Sequence, residues 1–243
     1  MLIDAHTHLG EQELPPVLER LARDDLFLMP SAGTPPQAEA LLAAAAGHPC
    51  LLPTCGLHPW HAGTYSVEQM RPCLERCAVI GEIGMDSVWT DVDLAVQRKA
   101  FTEQLDLAQA LGRPVLLHTK GCEREIADIL SGYSVRKLVH WYSCTEGLEA
   151  YLAQGCWFTV GPNPGDPAVE QVARRMPLDR LLLETDGFGA IAWATGEQVG
   201  PAGLAAFLRR MLAWVAGLRQ VEPQWLERRM QQNLASYLGK NPV

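Results

Sequence analysis

The sequence predicts an α/β fold, a (β/α)8 barrel of the TIM type, as a single domain over residues 1–243. Three observations carry that expectation. Eight short apolar runs alternate with helix-length segments along the 243 residues, about the length usual for one such barrel. The runs are near-continuous, as strands buried on both faces of a parallel sheet are. No repeat, linker or composition break divides the chain.

The runs are Leu2–Ala5, Leu26–Met29, Leu51–Thr54, Ala78–Ile80, Pro114–Leu117, Lys137–Val139, Cys156–Val160 and Arg180–Leu183. The clearest helix between them runs from Asp91 to Leu111, with Leu94, Phe101, Leu105, Ala108 and Leu111 close to one face. Gly112 ends it and Pro114 begins the next strand. A later helix turns Leu204, Leu208, Met211, Leu212 and Val215 inward with Arg209 and Arg210 outward, and a last one spans Pro223 to Leu238. The alternative architecture is an open doubly wound sheet, which opens on a glycine-rich turn when it binds nucleotides. Here the first strand runs into Asp4-Ala5-His6-Thr7-His8, with no glycine before Gly10.

Composition excludes several classes. Twenty Lys and Arg against 28 Asp and Glu give a charge of −8, which argues against a broad nucleic-acid surface. No stretch approaches the roughly 18 apolar residues of a membrane span. Met1-Leu2-Ile3-Asp4 carries no basic segment of a secretion signal. Seven cysteines without CxxC spacing read as reduced thiols in a cytoplasmic protein.

In a barrel, catalytic groups gather at the C-terminal ends of the strands. His6 and His8 stand at the end of the first run, Glu82 of the fourth, His118 of the fifth, His140 of the sixth and Asp186 of the eighth. His6-Thr7-His8 puts two imidazoles on one side of an extended strand, an arrangement that suits a transition-metal ion. Two isolated histidines would be as easily explained by hydrogen bonding. Asp4 reads equally as a cap, a ligand or a partner that orients one. Glu82, between Gly81 and Ile83-Gly84, is a carboxylate in a buried setting that needs a counter-charge, and one carboxylate can bridge two cations. Asp86 reads as a loop cap that can also support the site. Four imidazoles and two carboxylates suffice for two divalent ions about 3.5–4 Å apart. His58, Lys120 and Ser143 are the candidate substrate contacts, and Trp141, Tyr142 and Ser143 the candidate pocket wall. Packing of His58 on Trp60, and solvation of Lys120, explain those residues as well. His61 is expected in solvent, and the doublets Arg174-Arg175, Arg209-Arg210 and Arg228-Arg229 on helix surfaces.

These motifs resemble the TatD family of metal-dependent hydrolases. The matching stretches are Asp4-Ala5-His6-Thr7-His8-Leu9, Gly56-Leu57-His58-Pro59, Gly81-Glu82-Ile83-Gly84-Met85-Asp86, then Gln97, Phe101, Gln104 and Leu105. They continue through Arg113-Pro114-Val115 with His118, His140, Gly155, Val160-Gly161, Glu184-Thr185-Asp186 and Asn233. The resemblance implies that Glu82 bridges two ions, that His6, His8 and Asp186 hold one, and that His118 and His140 hold the other. It also implies a deoxyribonuclease acting from a 3′ end, with DNA or a small phosphodiester as substrate. The chain departs from the family after His140, where Trp141-Tyr142-Ser143-Cys144 replaces a Ser-Gly step. It departs again after Asp186, where Gly187-Phe188-Gly189 replaces a proline, and in lacking an Arg-Asn-x-Pro element.

The expected chemistry is water attack on a phosphodiester with two divalent ions, and Asp186 as general base. Histidine-rich ligation suits zinc, manganese, cobalt or iron better than magnesium. Three rivals stand beside it. One is a hydrolase of small esters, lactones or amides. Another is a phosphoesterase of the polymerase-and-histidinol-phosphatase type, which also opens on His-x-His but needs late histidines, and none follows His140. The third is a barrel without catalysis that binds a partner, although no ligand position is missing.

Overall fold

A computed structural model describes residues 1–239, so residues 240–243 of the expected domain lie outside the described residues. Eight parallel strands lie side by side in chain order. They are β1 (Leu2–Thr7), β2 (Leu26–Ala32), β3 (Thr54–Cys55), β4 (Val79–Gly84), β5 (Val115–His118), β6 (Lys137–Val139), β7 (Trp157–Val160) and β8 (Leu181–Leu183). The helices among the described residues are α1 (Leu14–Leu21), α2 (Pro35–Ala44), α3 (Val67–Leu74), α4 (Leu94–Leu111) and α5 (Glu123–Leu130). They continue as α6 (Leu148–Ala153), α7 (Pro167–Arg175), α8 (Phe188–Thr195), α9 (Leu204–Arg219) and α10 (Pro223–Leu238). This is the (β/α)8 barrel the alternation predicts. No helix among the described residues is long and apolar enough to cross a membrane.

The eighth strand is tied back to the first largely by side chains. The Asp186 N–H donates to the His6 carbonyl at 3.1 Å. The Thr185 N–H and hydroxyl donate to the two carboxylate oxygens of Asp4 at 2.8 and 2.5 Å. Asp4 is therefore not a helix cap, and both its oxygens are committed to Thr185. It sits fully buried in the seam between β1 and β8. Burial pushes its carboxyl up to about 8, against the lowering effect of the Thr185 donors.

Two expectations need correction. The third strand is Thr54–Cys55, later than Leu51–Thr54. Pro53 has no N–H for the ladder, so Leu51 makes only a single bridge to Leu28 before pairing resumes at Ser31 with Thr54. In α4, Leu94 and Leu111 are 36% and 40% exposed, because the helix ends overhang the barrel. The buried stripe runs through Gln97, Phe101, Gln104, Leu105 and Ala108. Asp93 caps the start through Ala95 N–H, and Gly112 closes it in the left-handed conformation. Leu204, Leu208, Met211, Leu212 and Val215 of α9 all face the core.

Two glutamines of α4 hold loops at the C-terminal ends of the strands. Gln97 accepts from Asp86 N–H and donates to the Asp86 and Val92 carbonyls. Gln104 accepts from Leu57 N–H at 2.7 Å and donates to the Leu57 carbonyl at 3.2 Å. Removing it would leave buried peptide groups unpaired, at about 1–3 kcal/mol each. Gln104→Ala should lose roughly 2–4 kcal/mol of stability in urea unfolding, whereas Gln109→Ala, on the exposed face, should lose less than about 1 kcal/mol.

Candidate metal centre

The centre is built around one carboxylate. Glu82, on β4, is buried with 1% of its surface exposed. Its Oε1 lies 2.7 Å from His118 Nδ1 and 2.7 Å from His140 Nε2. Its Oε2 lies 3.1 Å from His8 Nε2 and 3.4 Å from His6 Nε2. Asp186 Oδ1 joins the second set, 3.1 Å from His6 Nε2 and 3.5 Å from His8 Nε2. The two oxygens of Glu82 thus divide the four imidazoles into two pairs. Groups capable of holding a metal ion are formed by His6, His8 and Asp186, and by His6, Glu82 and His140.

The backbone brings these donors together in ways that follow from the strands. His6 ends the inward-facing alternation of β1, and His118 is the last residue of β5. His140 follows β6 directly. Asp186 adopts a left-handed φ of 54° just beyond β8, a conformation that is strained for a non-glycine residue.

Neighbouring hydrogen bonds fix which ring nitrogens are free. The Thr54 hydroxyl donates to the Pro30 carbonyl, so it accepts from Ser31 Oγ, 2.5 Å away. Ser31 then accepts from His6 Nδ1 at 3.1 Å. The proton of neutral His6 is held on Nδ1, and Nε2 turns a lone pair toward two carboxylate oxygens. His6 Nε2 is buried with no hydrogen-bond partner. A lone pair facing carboxylates is unfavourable unless a cation lies between them, and this is the observation by which the donor set fits a divalent metal. On the other side, Asp86 Oδ2 lies 2.9 Å from His118 Nε2 and accepts from Trp60 Nε1 at 2.6 Å, which leaves His118 Nδ1 toward Glu82. Asp86 Oδ1 also accepts from the Val88 and Trp89 N–H groups. It is both the expected loop cap and a positioning residue for His118. Glu184, which the sequence places in the Glu184-Thr185-Asp186 stretch without a role of its own, is fully buried with Oε1 3.6 Å from His140 Nδ1.

Charge in the centre is strongly perturbed. Burial would raise Glu82, but His140, His58 and His6 hold its carboxyl well below the ordinary range. Burial opposes Asp186 in the same way, and His6 and His8 hold it down. Burial would lower His8, yet Glu82 and Asp186 raise it to about 8. His140 is raised well above its ordinary value by Glu82 and Glu184 against burial. His118 is raised by Asp86 and Glu82. Protons on the imidazoles thus provide positive charge that these carboxylates demand.

His58 behaves differently. Its Nε2 lies 3.5 Å from Glu82 Oε1, within a third possible ligand group with Glu82 and His118. Burial lowers it to about 4, and its Nδ1 accepts the Trp60 N–H at 3.2 Å. The neutral ring therefore carries its proton on Nε2 and presents a donor instead of a ligand.

A cavity of about 580 Å³ opens over the centre. His58, Lys120 and Ser143 all line it, and Lys120 Nζ donates to Ser143 Oγ at 3.0 Å. Two corrections apply here. His61, expected in solvent, is half-buried and lines the cavity. Tyr142, expected in the wall beside Trp141 and Ser143, is buried against Tyr151 and Phe158. The sequence reading missed Ser31, although it follows an apolar run like the other mouth residues. It also missed Trp89 and Trp193 of the cavity wall; Trp193 lies within a helix whose composition carries no such signal.

Comparison with known proteins agrees along most of the chain. A family model described as TatD related DNase matches residues 3–239. The 3′-5′ ssDNA/RNA exonuclease TatD of Yersinia pseudotuberculosis serotype O:3 (strain YPIII) is 30% identical over 198 residues, which cover 74% of this chain and 75% of that protein. The protein of the same name from Erwinia billingiae (strain Eb661) is 31% identical over 216 residues, covering 81% and 80%. The crystal structure of YjjV, a TatD homologue from Escherichia coli K12, superposes with a TM-score of 0.83 at 26% identity, covering 97% of both chains.

Two outcomes are expected. Metal binding must displace imidazole protons, so affinity for manganese or zinc should rise from pH 6 to pH 8, where His8 loses its proton; chelator competition across that range checks this. Ser31→Ala frees the His6 tautomer and should weaken metal binding about 10–100-fold with the barrel intact by circular dichroism. Unchanged affinity would rule out the Thr54–Ser31–His6 relay.

Proposed function

The chain belongs to the TatD-related DNase family, and from that premise we propose that it is a divalent-metal-dependent phosphodiesterase that removes nucleotides from the 3′ end of single-stranded DNA. His6, His8 and Asp186 would hold one ion, His118 and His140 the other, and Glu82 would bridge them. The observation that carries this reading is Glu82, whose two oxygens each face a different pair of imidazoles. Zinc, manganese, cobalt or iron suits such a nitrogen-rich set better than magnesium. When bound, the ions would neutralise phosphate charge and lower the pKa of a water.

The remaining steps belong to side chains. Asp186 stays ionised beside His6 and His8, so its carboxylate can take the proton of the attacking water as the new P–O bond forms. The bond from phosphorus to the leaving oxygen then breaks, its electron pair stays on that oxygen, and the oxygen takes up the proton that Asp186 holds or one from solvent, which leaves an alcohol. The neutral His58 Nε2–H would donate to a phosphate oxygen. Lys120, held by Ser143, would lie along the neighbouring phosphate. In this reading the whole chain is one catalytic domain, acting in the cytoplasm, where its thiols stay reduced.

One observation favours a small-molecule ester as a second reading: Lys120 is the one Lys or Arg among the described residues that line the cavity. Assaying single-stranded DNA, a nitrophenyl phosphodiester and a lactone side by side with manganese separates the two. Hydrolysis of the lactone alone would overturn the nuclease reading. Asp186→Asn should fold and retain at least one metal ion while turnover falls by roughly 10²-fold or more, the effect typical of a positioned acid–base group. Metal content, melting temperature and turnover on one preparation check it, and near-normal turnover would refute the role.

A further inference from the structure

Four tryptophans line the cavity, and three of them, none a candidate for metal binding, stand together at its mouth. Trp89 comes from the loop after β4, Trp141 from the turn after β6 and Trp193 from α8, after β8. All three line the cavity over the metal centre. The Trp193 ring lies 6.0 Å from Trp141 and 6.3 Å from Trp89, in edge-to-face contacts. Trp89 and Trp193 remain 56% and 69% exposed despite these contacts. Three indoles from three separate segments, two of them exposed and the half-buried Trp141 beneath, gather at one cavity and form an apolar surface of the kind that marks a binding site.

The surface is built and held. Trp141 has φ of 30°, strained for an aromatic residue. Its N–H donates to Thr159 Oγ1 at 3.0 Å. Its ring lies so close to Gly161 that a Cβ there would stand 2.6 Å from the indole. Asp86 accepts from the Trp89 N–H while its other oxygen faces His118, so the loop carrying Trp89 is tied to the metal centre. Lys120 Nζ lies 5.8 Å from the Trp89 ring centroid.

Charge decides what such a surface takes. A protein that tracks nucleic acid along its phosphates needs several Lys or Arg contacts, and among the described residues this cavity offers Lys120 alone, in a chain of charge −8. Stacking on aromatic rings is the other source of affinity for single strands, and it needs bases that are unpaired. We propose that Trp89, Trp141 and Trp193 form a stacking site for one unpaired nucleobase of the terminal nucleotide, with Lys120 on the adjoining phosphate. The site would select single-stranded ends, because a paired base keeps its faces inside the duplex. This assignment rests on the phosphodiesterase reading given above.

Two arms test it on the full chain. In the first, wild type, Trp193→Ala and Trp193→Phe are assayed with manganese on a short thymidine oligomer and on the same oligomer with an abasic 3′-terminal residue. Trp193→Ala should raise KM for the base-bearing end by about 5- to 100-fold, Trp193→Phe should restore most of it, and the loss on the abasic end should be at least several-fold smaller. In the second, tryptophan fluorescence is titrated with thymidylyl-thymidine in excess chelator. Wild type should be quenched, and Trp193→Ala should need several-fold more ligand. Hydrolysis of both oligomers with equal losses in Trp193→Ala, and no quenching, would overturn the stacking site while leaving the hydrolytic reading intact. Hydrolysis of neither by wild type would overturn the hydrolytic reading, and the chelator arm then decides the stacking site alone.

Discussion

A buried carboxylate is costly unless its charge is met, and Glu82 is the charge on which this catalytic face is arranged. Five imidazoles approach its two oxygens, from β1, the loop after β3, β5 and the end of β6. Asp186 adds a second negative charge on one side of the same cluster. The protein meets this concentration of negative charge by raising His8, His118 and His140 and leaving His58 neutral. Divalent cations would do the same electrostatic work with fewer groups, and the protons would leave as the metal enters. The division of the imidazoles between Oε1 and Oε2 sets donor groups on both sides of the one carboxylate.

The geometry depends on the barrel being closed and its loops pinned. Asp4 grips Thr185 through two hydrogen bonds, which sets β8 beside β1 and so brings Asp186 to His6. On the opposite side, Asp86 is a junction: it receives Trp60, Val88 and Trp89 and faces His118. Gln97 then ties the Asp86 backbone to α4. Neither aspartate belongs to a group of side chains, among the described residues, that could hold a metal ion. Both determine where the donors stand, as hydrogen-bonded partners of ligands commonly do.

Much of this was legible because a parallel barrel puts function at the ends of apolar runs. His6, His8, Glu82, His118, His140 and Asp186 each follow such a run, and the structure brings all six together. The third strand was misjudged because Pro53 interrupts a run that is apolar to its end. Leu94 and Leu111 fit the helical period but lie beyond the layer that the helix covers, and period alone carries no information on where a neighbour stops. Ser31 was legible by the same rule as the histidines and was overlooked. Asp4 and Asp86 lay in recognised motifs, but their roles depend on partners far along the chain, such as Thr185 for Asp4. Trp193 had no signal at all, since its position over the cavity is set by where α8 begins after the strained Asp186.

That strain links the two halves of the site. Asp186 and Trp141, both just past strand ends at the mouth, adopt left-handed backbone conformations that cost of order 1–3 kcal/mol each. They persist because their peptide N–H groups are already committed, Asp186 to the His6 carbonyl and Trp141 to the Thr159 hydroxyl. Relaxing either residue would break a bond to a neighbouring strand. The rigid ladder therefore supports two unfavourable turns, one that swings a carboxylate toward His6 and one that seats an indole against Gly161. With Lys120 the one Lys or Arg lining the cavity among the described residues, both turns would serve binding: the carboxylate would draw cations, and the fixed ring would offer contact area at little entropic loss.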